Sequence, residues 1–119
     1  MRYDNISLGR LSMSNSDSAQ YNIGIGNRSM YGVKNADWNI GLGTQSGYGI
    51  TEGEQNIAIG NNSMDRGPVT GDYNSAFGYR SLYYLKEGDY NIGIGSESLF
   101  KLTDGTENIG IGRRAGQSI

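Results

Sequence analysis

The side chains of this sequence that could carry out chemistry are mainly carboxylates, because its 119 residues include 12 Asp and Glu but no His and no Cys. A zinc site of the usual ligands and a Ser-His or Cys-His nucleophile pair are therefore excluded. Oxygen ligands could in principle hold calcium, but the spacing fits neither the calcium-binding nonapeptide roll nor an EF-hand loop. We interpret these carboxylates as solvated turn residues. They include Glu52, Glu54, Asp72, Glu87, Asp89, Asp104 and Glu107.

Two further kinds of active site are poorly matched. Glycoside cleavage needs two carboxylates at a set separation, whereas these are scattered along the predicted turns. The glycine-rich phrases GIGNRS at 24–29 and GLGTQSG at 41–47 superficially resemble phosphate-binding loops. Neither has the Lys-Ser pair or the following helix of such a loop. The sequence therefore predicts a protein that is not an enzyme and that has no catalytic residues, cofactor or metal.

Aromatic residues are the second group whose spacing suggests a function, because they recur at intervals near 17 residues. One set precedes a recurring asparagine, and it comprises Tyr21, Trp38, Tyr73 and Tyr90. A second set comprises Tyr31, Tyr48, Tyr83 and Phe100. Stacked rings could offer flat faces to a glycan, with Asp37, Asp72 and Asp89 supplying hydrogen bonds; alternatively they are packing ladders. Tyr79 and Tyr84 lie outside both sets, which makes them further candidates for receptor contact.

Charge and composition limit the partners. A net charge of -2 and a pI near 5.0 give no basic patch for nucleic acid. No apolar run approaches the roughly 20 residues that span a bilayer, so no membrane insertion is predicted. Twenty glycines against one proline, with 10% aromatic residues, fit neither an ordinary globular core nor a disordered chain. A single domain over residues 1–119 with a regular, backbone-dominated fold is expected.

A repeat organises the chain. Seven asparagines recur at spacings of 17, 17, 17, 18, 17 and 17 residues, and a glycine follows each after four residues. Such a period indicates one supersecondary unit stacked many times. The asparagines are Asn5, Asn22, Asn39, Asn56, Asn74, Asn91 and Asn108, and the glycines are Gly9, Gly26, Gly43, Gly60, Gly78, Gly95 and Gly112.

Six of the seven asparagines are followed by a period-two pattern that is typical of a strand, since branched apolar residues flank one small residue, as in Ile23-Gly24-Ile25. A weaker second strand is predicted at 31–33, 48–50, 83–85 and 100–102. We therefore expect an all-β parallel solenoid of about seven 17-residue coils with two short strands each. The one 18-residue spacing falls beside Pro68, where a corner would absorb the extra residue.

Stacking coils places equivalent residues above one another at about 4.8 Å. The asparagine column then becomes an amide ladder and the isoleucine column an apolar spine, which we expect to point into the interior of the roll. The column of small residues implies close approach of another surface. We expect that surface to belong to a second chain.

The phrase N-[IS]-[GSA]-[ILF]-G-x-x-[SA], repeated over residues 3–116, resembles the head repeat of YadA-like trimeric autotransporter adhesins and, more closely, the repeats of phage tail fibres. The resemblance implies a left-handed β-roll, assembly as a homotrimer, and a structural or surface-binding role on a virion tail fibre or an extracellular cell surface. Its partner would be a bacterial or host cell-surface glycan or protein. The chain departs from adhesin heads by carrying glycine where they mostly carry alanine.

Three functions remain open at this stage. The first is a segment of a longer trimeric fibre, which the continuation of the repeat to Ile119 favours. The second is a monomeric solenoid that binds a glycan or another repetitive ligand, and the third is a polysaccharide depolymerase. Ice binding is disfavoured because threonines are few and scattered. The mass of the protein in solution distinguishes the first two.

Overall fold

The computed structural model describes residues 4–117, so Ile119 and the start of the repeat at residue 3 lie outside the described part. Within it, seven strands form a single parallel sheet in chain order, with no helix. The predicted all-β parallel solenoid with coils of about 17 residues is confirmed. The strands are Ile6–Leu8 (β1), Ile23–Ile25 (β2), Ile40–Leu42 (β3), Ile57–Ile59 (β4), Ser75–Phe77 (β5), Ile92–Ile94 (β6) and Ile109–Ile111 (β7).

The register places each residue opposite its repeat equivalent, as in Ile23 with Ile40 and Gly24 with Gly41. The extra residue of the fourth coil leaves this register intact, because Ile57 still pairs with Ser75. The chain accommodates the insertion after the strand, near Pro68, where an isolated bridge joins Ile50 to Val69. The corner location predicted for the insertion is correct.

The second strand predicted in each coil is wrong. Residues 27–32 and their equivalents form turns instead, because left-handed residues alternate with ordinary ones: Arg28 has φ 59° and Met30 has φ 55°. A strand needs extended φ throughout, so this segment curls. Its backbone still bonds from coil to coil, as from the Met30 N–H to the Ser46 carbonyl at 2.9 Å.

The predicted asparagine ladder is confirmed. The Asn56 backbone N–H donates to Asn39 Oδ1 at 2.9 Å, and Asn56 Nδ2 donates to the Gly71 carbonyl at 2.9 Å. Asn22, Asn39, Asn56, Asn74 and Asn91 are fully buried. Each amide thus satisfies backbone groups of the next coil that could not otherwise reach water.

The repeat glycines have a steric role. Gly26, Gly43, Gly60 and Gly95 have φ between 123° and 132°, a region that side chains rarely adopt. A Cβ on Gly26 would lie 2.5 Å from the Gly43 carbonyl oxygen. The turn that ends each strand therefore requires glycine.

The core comes from the turns rather than from the strands. Fully buried side chains include Met30, Val33, Ile50, Met64, Leu82, Leu85 and Leu99. They pack against the small middle residues of the strands, since a Cβ on Gly41 would lie 2.7 Å from Met30 Cγ. The expectation that this small-residue face meets a second chain is wrong, because turn residues of the same chain, such as Met30 of the preceding coil, already fill it.

Candidate binding surface

The outer face of the sheet is the most unusual surface of the molecule. It consists of the first and third residues of every strand, which are Ile, Leu or Phe everywhere except Ser75. Even in inner strands these side chains reach solvent, with Ile25 exposing 38% and Ile94 exposing 39% of its surface. The prediction that the isoleucine column points into the interior is wrong. The interior is too narrow for large side chains from both walls, and the turns occupy it.

The residues that flank this outer face carry little charge. An entry column precedes the strands by two positions, and an exit column follows them by two. The entry column is Asp4, Tyr21, Trp38, Gln55, Tyr73, Tyr90 and Glu107, and the exit column is Arg10, Asn27, Thr44, Asn61, Tyr79, Ser96 and Arg113. Charges occur only in the first and last coils. There the entry side is acidic and the exit side is basic.

The first set of candidate contact residues lies in the entry column. Tyr21 stacks on Trp38 with ring centroids 4.3 Å apart, and Tyr73 stacks on Tyr90 at 4.9 Å. All four rings are exposed, Trp38 by 54%. Between the two pairs, Gln55 interrupts the ladder. A hollow of about 490 Å³ is lined there by Trp38, Gln55, Ile40 and Ile57, so the entry column borders the outer face.

The entry column has an unusual backbone, since its described residues have φ between 56° and 65°. Left-handed backbone is unfavourable for bulky residues, and Asn or Gly would suit it better. Local conformation therefore does not explain why rings recur at this position. Stacking between coils does.

Tyr79 and Tyr84 lie apart from the entry column, and Tyr79 belongs to the exit column. The Arg80 guanidinium carbon lies 5.0 Å from the Tyr79 ring and 5.4 Å from the Tyr83 ring. Tyr84 packs edge-on against Tyr83 at 5.0 Å. Tyr84 therefore lies against the second aromatic column, and Tyr79 is linked to that column through Arg80. That column stacks as two pairs, Tyr31 on Tyr48 and Tyr83 on Phe100, both at 5.0 Å.

The aspartates that the sequence offered as sugar ligands make structural hydrogen bonds. Asp37 Oδ1 accepts the Gln20 N–H, Asp72 Oδ1 accepts the Glu54 N–H, and Asp89 Oδ1 accepts the Asp72 N–H, each at 2.8 Å. These bonds tie one corner to the next. Within residues 4–117, no three Asp or Glu residues lie close enough to hold a metal ion.

Sequence reasoning missed the residues that fill the coil. Met30, Met64, Leu82 and Leu99 all stand eight positions after an asparagine. The sequence shows this apolar column, but in two coils the equivalent residue is a glycine, Gly47 or Gly116, which interrupts the apolar pattern. The column also lies in turns, where apolar residues are less expected.

Comparison with protein-family models, with curated proteins and with solved structures finds no match for this chain. The described residues contain no helix that could cross a membrane.

Proposed function

We propose that this chain is a non-enzymatic structural and surface-binding segment of a trimeric fibre, such as a phage tail fibre or an adhesin head, that attaches to a cell-surface receptor. The repeat resemblance supports the type of fibre and the number of chains. The observation that carries the proposal is the apolar outer face, which runs from β1 to β7 with Ser75 as its one polar position.

A second copy of this chain is the best-matched occupant of the outer face. Large contiguous apolar patches on soluble proteins usually mark interaction sites. This patch repeats at the strand spacing of about 4.8 Å, so a second rod with the same spacing can interdigitate with it along its whole length. A globular partner would lack that repeat.

The charges at the ends of the outer face favour parallel association. In a parallel arrangement, the entry side of one chain meets the exit side of its neighbour at the same height. Asp4 then lies near the neighbour's Arg10, and Glu107 near its Arg113. In an antiparallel face-to-face pair, Asp4 would meet Glu107 and Arg10 would meet Arg113. Such charge patterns determine orientation more than affinity.

The exposed aromatic pairs support a receptor-binding role for the fibre. They also favour a second candidate function, a monomeric module that binds a glycan along the entry column. The rings of each pair lie nearly parallel, at 13° in Tyr21–Trp38 and 2° in Tyr73–Tyr90, so each pair leaves its outer ring faces for a sugar to stack on. In the monomeric alternative the outer face would remain open to solvent.

Sedimentation equilibrium of the purified chain at micromolar concentration tests the proposal. The expected result is a single species with three times the chain mass. The double variant Ile25→Lys with Ile94→Lys places charges on β2 and β6 of the outer face and should yield monomers.

The matched control is Glu52→Lys, which adds a lysine at an exposed corner outside the outer face and its two flanking columns. It should leave the trimer intact. A folded wild-type monomer would overturn the fibre proposal and favour the glycan-binding module. A wild-type trimer that persists in the double variant would show that the chains associate through another surface.

A further inference from the structure

The second aromatic column has a gap in the fourth coil. Its described members in neighbouring coils are Tyr31, Tyr48, Tyr83 and Phe100, but the equivalent residue between Tyr48 and Tyr83 is Asp65. Tyr48 stacks on Tyr31 by one ring face only, and no ring of the next coil covers the other. The gap opens as a hollow of about 480 Å³, lined by Gln45, Tyr48, Asn62, Asp65, Arg66 and Tyr83.

The polar groups of this hollow are partly pre-ordered. Asn62 Nδ2 donates to Asp65 Oδ2 at 2.7 Å, and Arg66 Nε donates to the Tyr83 hydroxyl at 3.1 Å. Asp65 exposes only 8% of its surface. Its Oδ1 accepts no hydrogen bond from the described residues. The buried carboxylate of Asp65 is therefore held in place by one oxygen, and its other oxygen can accept a hydrogen bond from a ligand.

The electrostatics of the hollow are balanced. Burial raises the pKa of Asp65, while the hydrogen bond from Asn62 and the charges of Arg66 and Arg80 act in the opposite direction. The hydrogen bond to Tyr83 raises the pKa of Arg66, which stays charged. With two guanidinium groups near one carboxylate, the hollow does not favour a cationic ligand.

We propose that this hollow binds one pyranose residue of a glycan. A pyranose is about as thick as the missing ring, and its C–H face can stack on the free face of Tyr48. Its hydroxyls can donate to Asp65 and exchange hydrogen bonds with Gln45, Asn62 and Arg66. The volume lies within the range of small-ligand sites. A purely apolar aromatic ligand would leave those polar groups unpaired, which is unfavourable.

This site specifies the surface-binding part of the proposed function and does not depend on self-association. It also differs from the entry column, where the first candidate contacts lie. Both aromatic columns are interrupted in the fourth coil, by Gln55 and by Asp65. Only the second interruption places a buried carboxylate in the gap.

The test is titration of ¹⁵N-labelled protein with the methyl glycosides of glucose, galactose, N-acetylglucosamine and galacturonic acid, monitored by amide chemical shifts. At least one sugar should shift the resonances of Tyr48, Asn62 and Asp65 at millimolar concentration. Asp65→Tyr should abolish this binding by completing the aromatic column. Asp65→Asn should weaken it about tenfold, because the carboxylate acceptor is lost.

The matched control is Asp104→Tyr at an exposed corner, which should bind the sugars as the wild type does. Sedimentation of the same samples separates the two proposals, since a trimer that binds none of the sugars overturns only the pyranose site. Unchanged sugar binding by Asp65→Tyr would also overturn it. So would binding of indole at the same resonances without binding of any sugar.

Discussion

The two faces of the same sheet differ in a way that runs against the usual rule for strands. The inner face carries glycine and alanine and is buried from β2 to β7, whereas the outer face carries isoleucine and leucine and is exposed. Inner residues such as Gly41 contact Met30 and Ser46 of the turn wall. Outer residues such as Ile25 contact solvent. An exposed large apolar face is more informative than a buried one, because burial needs no partner to explain it.

This difference shows that the turns and the backbone ladder hold the coil together, whereas the large strand residues lie on its outside. A single coil has room for side chains from one wall only. The turns supply Met30, Leu82 and their equivalents, so the strand must present small residues inward. The large residues of the strand therefore point outward. Four predictions test this division of roles.

The largest effect is expected inside the coil, at the asparagine ladder. Asn56→Leu would leave the Asn74 backbone N–H and the Gly71 carbonyl without partners. Each unsatisfied buried group destabilises by about 1–3 kcal/mol, so the free energy of unfolding should fall by about 2–6 kcal/mol. Urea denaturation at fixed protein concentration measures this change. Asn15→Leu, at an exposed position outside the outer face and its flanking columns, is the control and should have little effect.

The next largest effect is expected from filling the inner face. In Gly41→Val the new side chain would meet Met30 Cγ at 2.7 Å and the Ser46 carbonyl oxygen at 2.9 Å. Overpacking of this kind destabilises by about 1–3 kcal/mol. Because Ile40 is only half-buried, the neighbouring outer change Ile40→Val should cost about 0.5 kcal/mol, the low end for this substitution. Equal thermal stability of the two variants would contradict the assignment of inner and outer faces.

A smaller effect is expected from charge reversal beside the outer face. Glu107→Lys would place a lysine near the neighbour's Arg113 in a parallel assembly, weakening association by about 0.2–1 kcal/mol per contact. Adding Arg113→Glu should restore it. Sedimentation equilibrium at low salt measures the change, which should disappear at high salt. Tighter association of Glu107→Lys would instead indicate antiparallel chains.

The smallest effect concerns Asp65. Because folding raises its pKa, the ionised carboxyl lowers the stability of the folded chain at pH values above that pKa, and the loss is relieved as the pH falls through it. Asp65→Asn should therefore melt at a slightly higher temperature than the wild type at neutral pH. The difference should vanish in acid. A difference that is independent of pH would show that the charge is not its cause.

The sequence by itself determined the stacking. Equivalent residues such as Asn39 and Asn56 had to lie above one another, because a strict repeat with strand-forming residues can pair its backbone in register over many coils. The amide ladder and the corner position of the insertion near Pro68 both followed from that spacing. The recurrence of Gly26 and its equivalents was visible as well, but its steric reason came from the structure. The two interrupted aromatic columns were also visible as sequence.

Only the tertiary structure decided which side of the strand is inside. Period-two alternation in Ile23-Gly24-Ile25 distinguishes two faces but does not say which one meets the core, since that depends on what the opposite wall contributes. The left-handed residues Arg28 and Met30 curl the expected second strand into turns, and those turns fill the interior. In the fourth coil the turn carries Asp65 instead of an aromatic ring, and a hollow remains beside it. The spacing along the chain determines which residues lie above one another. The direction of the turns determines which residues lie inside the coil, and that direction depends on contacts across the coil.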